Sequence, residues 1–155
     1  MLSIGKLSEN QARQICSWKY PNEYAVYNCP SWAVMINQGW GLADENKRKN
    51  EFKSVNLNGE FIGFFRLHFR ENKLYLGLGL IPDCCGEGYG AKLIEIIKTY
   101  ANKHFPQNDL YLVVRDFNTR AIKVYQKAGF IVESEYVNND DKYISMKYIV
   151  SEEYF

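Results

Sequence analysis

Two runs of strict alternation, joined by glycine and asparagine turns, constrain this chain more than any other feature. In FKSVNLNGEFIGFFRLHFR, Asn58-Gly59 separates two extended runs, and Phe61, Gly63, Phe65, Leu67 and Phe69 alternate with a more polar set. Past a second turn near Glu71-Asn72, Leu74, Leu76, Leu78 and Leu80 alternate just as strictly. Asn-Gly is the strongest short hairpin signal, because a tight turn needs positive φ at both central residues. A period of two is that of strands with one covered face. The stretch predicts an antiparallel three-strand meander, which rules out a purely doubly wound parallel domain.

The flanking segments carry a different period. Ser8 is placed to cap a helix, with Gln11 at the reciprocal position and Ala12, Ile15 and Cys16 on one face. From Trp18 to Trp40 the pattern blurs into an aromatic-rich region, read as a short helix among loops. After the meander, Leu93, Ile96, Ile97, Tyr100, Ala101 and His104 mark one face of a long helix ended by Pro106. LYLVV, from Leu110 to Val114, is apolar on both faces and reads as a central buried strand. Asn118 caps a further helix, with Ala121, Val124, Tyr125 and Ala128 on one face and Gly129 at its stop. Two strands around Asn138 to Asp141 finish the chain. The expected class is α/β of the mixed α+β kind, a mostly antiparallel central sheet flanked by helices. No repeat or linker divides it, so residues 1–155 are expected to form a single domain.

Composition removes several functions. Nineteen basic residues against eighteen acidic ones leave no footprint for a nucleic-acid or membrane-surface binder. No apolar run approaches the roughly 20 residues needed to span a bilayer, and no export signal is legible, so the expected compartment is the cytoplasm. Cys16, Cys29, Cys84 and Cys85 form no C-x-x-C pair, and His68 and His104 stand far apart, so no metal site is expected. The basic run Asn46 to Asn50 reads as a solvated turn.

The chemistry concentrates in DCCGEGYG, Asp83 to Gly90, which follows a strand and precedes a helix. Glycines let a backbone approach a ligand closely, and the unpaired N–H groups of a helix start favour an anion there. A nucleotide-hydrolase loop would need Gly-Lys-Ser/Thr, which Gly90-Ala91-Lys92-Leu93 does not provide. Gly86-Glu87-Gly88-Tyr89-Gly90-Ala91 satisfies the dinucleotide pattern literally, but it follows a meander and no acidic residue ends the next strand. A coenzyme A pyrophosphate loop is the third reading.

The chain resembles the GCN5-related N-acetyltransferases, the GNAT family. Their loop reads [QR]-x-x-G-x-[GA], and Cys85-Gly86-Glu87-Gly88-Tyr89-Gly90 matches it except that Cys85 stands where Gln or Arg is usual. RDFNTRAIKVYQKAGF resembles the family's second element, supplying Asn118, Ala121, Tyr125, Gly129 and Phe130 at the right spacing.

The resemblance implies the GNAT acyl-CoA N-acyltransferase fold and transfer of acetyl from acetyl-CoA to a primary amine, by direct attack in a ternary complex. The backbone of Gly86, Glu87, Gly88, Tyr89, Gly90 and Ala91 would hold the coenzyme A pyrophosphate, with Cys85 at the divergent position. The strand end Leu78, Gly79, Leu80 and Ile81 would pair with the pantetheine arm, and Asn118 would face it. Tyr125 would be the general acid for the leaving thiolate; the alternative is an aromatic on a helix core face. No carboxylate stands at the alternating strand positions Tyr75, Gly77, Gly79 and Ile81, which leaves Glu23, Asp83, Glu133 and Glu135 as candidate bases.

Trp18, Tyr20, Tyr24, Tyr27 and Trp32 lie where the family builds its acceptor pocket, and π faces suit a cationic amine. They are equally the material of a minor core. A small-molecule amine, a protein N-terminus or a lysine would be the acceptor; neither its identity nor the oligomeric state follows from these residues. Two rival functions stay open: a non-catalytic acyl-CoA-binding or sensing domain, and a dinucleotide-binding domain.

Overall fold

The computed structural model describes residues 1–150; the last five positions of the expected 1–155 domain lie outside the described residues. Strands β1 (Leu2–Lys6), β2 (Phe52–Leu57), β3 (Glu60–Arg70), β4 (Lys73–Leu80), β5 (Leu110–Arg115), β6 (Ile131–Asn138) and β7 (Asp141–Tyr148) form a seven-stranded sheet in the order β1-β2-β3-β4-β5-β7-β6. The helices are α1 (Glu9–Ile15), α2 (Trp32–Gln38), α3 (Glu45–Glu51), α4 (Tyr89–His104) and α5 (Thr119–Lys127). The meander and the flanking helices stand as expected. The tight turns carry positive φ at Asn58 and Gly59, at Glu71 and Asn72, and at Asn139 and Asp140, as two-residue hairpin loops demand.

Two compact units divide the chain: Met1–Arg66 with Leu78–Cys85, and Leu67–Gly77 with the chain from Gly86 on. In the first, β2 pairs antiparallel with both β1 and β3. Its core comprises Leu7, Ala12, Ile15, Trp18, Met35, Leu42 and Phe52. Ser8 and Gln11 form the expected reciprocal cap on α1. The region from Trp18 to Trp40 holds more helix than expected, a 3-10 helix over Asn22–Tyr27 and then α2.

The run Asn46 to Asn50 is corrected outright: it lies inside α3, not in a turn. Asp44 caps this helix by accepting from the Lys47 N–H at 2.9 Å. Arg48 is buried, donating to the Leu42 carbonyl at 2.7 Å. A buried, hydrogen-bonded guanidinium anchors what reads in sequence as a solvated charge run.

In the second unit, β4 and β5 pair in parallel at Leu74↔Leu110 and Tyr75↔Tyr111, while β7 pairs antiparallel with β5 and β6. β5 is central, but only one of its faces is fully covered. Leu110, Leu112 and Val114 are buried, whereas Val113 is 37% exposed on the opposite face. The buried stripe of α4 is Leu93, Ile94, Ile97 and Ala101, rotated from the expected one so that His104 is exposed. α5 begins at the Asn118 cap.

Candidate active site

In the second unit, the glycine loop opens α4 through two left-handed backbone positions, Gly86 at φ +80° and Gly88 at φ +84°. Gly88 is the cap of α4 and has no side chain to offer, and the first turn of the helix holds no acidic residue. The other α-helices are each capped by a side chain: Ser8, Ser31, Asp44 and Asn118. The first N–H groups of a sixteen-residue helix therefore meet neither a capping oxygen nor a carboxylate of their own turn. A helix start of this kind favours an anion by about 0.3–1 kcal/mol per charge near the surface. Gly86, Glu87, Gly88 and Ala91 are exposed, and Tyr89 and Gly90 are half-buried.

α5 lies in the same unit. Asn118 Oδ1 accepts from the Ala121 N–H at 3.2 Å, so the asparagine is a cap as expected. Arg120, one residue before Ala121, holds its Nη1 3.3 Å from where a Cβ on Gly86 would stand. Its place between Asn118 and Ala121 in the second motif is the signal that the sequence carries for it. Tyr125 is half-buried, with its ring centroid 6.0 Å from that of Phe130. Its carbonyl accepts from Ala128 and Phe130 at 3.1 and 3.0 Å, which holds this turn of α5 at the helix end.

In the first unit, the end of β4 is held from both sides. The Ile81 N–H donates to the Ile62 carbonyl of β3 at 2.7 Å. In a trans peptide the carbonyl points opposite to the following N–H, so the Leu80 carbonyl faces away from β3. There it accepts from the Tyr20 hydroxyl at 2.6 Å. The Cys85 thiol lies 3.8 and 3.7 Å from the Leu80 and Ile81 carbonyls. Burial, with Cys85 and Cys29 adding smaller effects, pushes the Tyr20 phenol far above its ordinary range, so it stays a donor. Burial likewise raises the Cys29 thiol.

The five aromatics of the expected acceptor pocket separate by burial. Trp18 belongs to the core, its ring 5.5 Å from Phe61 and 6.2 Å from Phe64. Tyr20, Tyr24 and Trp32 are half-buried, and Tyr27 is exposed. The Trp32 ring already carries the Arg13 guanidinium at 4.6 Å and that of Arg48 at 5.8 Å.

The two strand glycines differ. A Cβ on Gly79 would lie 2.6 Å from Phe64 Cε1, whereas one on Gly77 would meet nothing within 4 Å. Of the candidate bases, Glu133 lies 3.7 Å from Lys147, and Glu23, Asp83 and Glu135 are exposed.

A mixed sheet in which β4 and β5 pair in parallel among antiparallel neighbours, with a glycine loop opening a long helix after β4, is an α+β arrangement unlike a dinucleotide fold, whose sheet runs parallel around its loop. The model of the acetyltransferase (GNAT) family matches residues 12–130, and the chain belongs to that family. A mycothiol acetyltransferase from Salinispora tropica is 27% identical over 130 residues, covering 74% of this chain but 42% of its own length. The chain thus spans less than half of that relative.

Solved structures share the fold at lower identity. A GNAT-family acetyltransferase from Bacillus anthracis has a TM-score of 0.77 at 16% identity, covering 97% of this chain and 96% of its own. A spermidine N-acetyltransferase chimera from Vibrio cholerae and hSSAT has a TM-score of 0.74 at 18% identity, with 97% and 96% covered. The ribosomal-protein-S18-alanine N-acetyltransferase from Escherichia coli has a TM-score of 0.68 at 20% identity, both chains covered in full. Among the described residues, no helix is long and apolar enough to cross a membrane.

Proposed function

We propose that residues 1–155 act as one N-acetyltransferase domain, using acetyl-CoA to acetylate a primary amine. The observation that carries this reading is the start of α4: two glycines at positive φ, no capping side chain and no acid in the first turn, within the span that the family model matches. The family match runs through parts of both compact units, which supports a single domain.

The residues fit the group. The backbone of 86–91 would hold the pyrophosphate, and the edge of β4 that faces away from β3 would pair with the pantetheine arm as an added strand does. Because Tyr20 already occupies the Leu80 carbonyl, that edge offers the arm the Leu78 carbonyl and the Leu80 N–H. Bound acetyl-CoA supplies an activated thioester. Tyr125 would then donate its phenolic proton to the sulfur as the neutral amine displaces it, the proton lost from the nitrogen would restore the phenol, and Asn118 would keep the start of α5 in place. Tyr20, Tyr24 and Tyr27 remain the aromatic lining proposed for the acceptor, Trp32 being engaged by Arg13. The relatives are named for spermidine, for the alanine of ribosomal protein S18 and for mycothiol, which agrees with an amine or protein acceptor.

A second reading, an acyl-CoA sensor without turnover, is favoured by Cys85 at the divergent loop position and by the open space at Gly77 where no carboxylate stands. Thermal shift with acetyl-CoA against NAD tests the common ground, and a larger shift with NAD would refute both. Thiol release over a panel of amines then separates enzyme from sensor.

A further inference from the structure

The usual Gln or Arg of the glycine loop is missing, and Cys85 stands in its place. Cys85 turns its thiol toward the carbonyls of Leu80 and Ile81, at 3.8 and 3.7 Å. A loop meant to hold a doubly charged pyrophosphate has then no cation at that position. Glu87, within the loop itself, adds a negative charge.

We propose that Arg120 replaces that cation and binds the pyrophosphate of coenzyme A alongside the loop backbone. The proposal rests on the acetyl-CoA reading of the site. Three observations converge on it, all within the second unit. Nη1 of Arg120 lies 3.3 Å from the point a Cβ on Gly86 would occupy, so the guanidinium rests against the loop at that glycine. Arg120 is exposed, and Gly86, Glu87 and Gly88 are exposed with it, so a ligand at the loop can reach the guanidinium. Finally, Arg120 stands in the first turn of α5, directly after Thr119, and that turn contains no acid. A cation there opposes the dipole of α5. A planar guanidinium presents paired N–H donors that match two phosphate oxygens, which an ammonium does not. Lys92, the basic residue in the first turn of α4, holds its Nζ 5.5 Å from the Tyr89 ring centroid and supplies only a point charge.

The test is equilibrium binding of coenzyme A and of dephospho-coenzyme A, which keeps the pyrophosphate and lacks the 3′-phosphate. Wild type, Arg120→Ala, Arg120→Gln and Arg120→Lys are compared by calorimetry, with ligand-free melting as the fold control. Arg120→Ala and Arg120→Gln should each weaken both ligands about tenfold, the loss of one charge-assisted hydrogen bond. Arg120→Lys should recover part of the loss, and the salt dependence of binding should become shallower in the two neutral variants. Unchanged affinity in both neutral variants overturns the assignment while leaving the acetyl-CoA reading intact. A penalty seen with coenzyme A but absent with dephospho-coenzyme A also overturns it, because Arg120 then reads the 3′-phosphate. Failure of wild type to bind either ligand sinks the acetyl-CoA reading and this proposal together.

Discussion

The hydroxyl of Tyr20 donates to the carbonyl of Leu80 at 2.6 Å across sixty residues of sequence. This bond ties the aromatic segment after α1 to the last residue of β4, on the strand edge that β3 does not use. The Tyr20 N–H in turn donates to Asn28 Oδ1 at 2.8 Å, so the tyrosine is fixed at both ends. One contact thus closes the backbone row at the end of β4.

Tyr20→Phe should lower stability by about 0.5–1.5 kcal/mol, the net worth of one hydrogen bond, with a further cost if the carbonyl stays dry. Urea unfolding of the two proteins checks it. Equal midpoints would mean that the carbonyl finds another donor.

Stability should fall in alkali. Burial raises the Cys16 and Cys29 thiols above their ordinary 9.0 and the Tyr20 phenol above its ordinary 10.0. The folded state therefore keeps protons that the unfolded chain releases first, and stability is full below those values and declines as pH rises past about 9. Urea midpoints measured between neutral pH and strong alkali should show this decline, and Tyr20→Phe with Cys29→Ala should flatten it. A level profile in the wild type would contradict the burial argument.

Gly79→Ala should destabilise by about 1–3 kcal/mol, an overpacking penalty. Its Cβ would strike Phe64, whose ring cannot swing away freely because it sits 6.2 Å from Trp18 and 6.3 Å from Phe52. Gly77→Ala meets open space and should be neutral or slightly stabilising. Thermal melts of the pair decide it, and equal losses would show that space at Gly79 is not what matters.

Tyr125→Phe should lower kcat by about 10²–10⁴-fold if its phenol protonates the leaving sulfur, with KM for acetyl-CoA little changed. Full turnover with the best acceptor would return Tyr125 to a packing role beside Phe130.

Local signals are legible in the sequence where the physics is local. Asn58-Gly59 and Ser8-x-x-Gln11 act within a few bonds, so turn and cap are legible without knowing the fold. Arg48 was not legible in that way. Within a run of charges it looks like its neighbours, and only the Leu42 carbonyl, brought to it by the fold, makes it a buried residue. Val113 failed for the converse reason: apolar composition shows that a residue tolerates burial, not that its face of β5 receives cover.

By itself, then, the sequence determined the order of the elements from β2 onward, the hairpin turns, the caps of α1 and α5 and the glycine loop before α4, because each follows from backbone preferences within a few residues. Tertiary structure alone decided that Tyr20 closes the end of β4, that Phe64 fills the space over Gly79, and that the guanidinium of Arg120 rests at Gly86. Those partners are up to sixty residues apart, and no periodicity encodes them. They exist because packing brings particular side chains to particular backbone atoms, at distances where a hydrogen bond forms or a methyl group no longer fits.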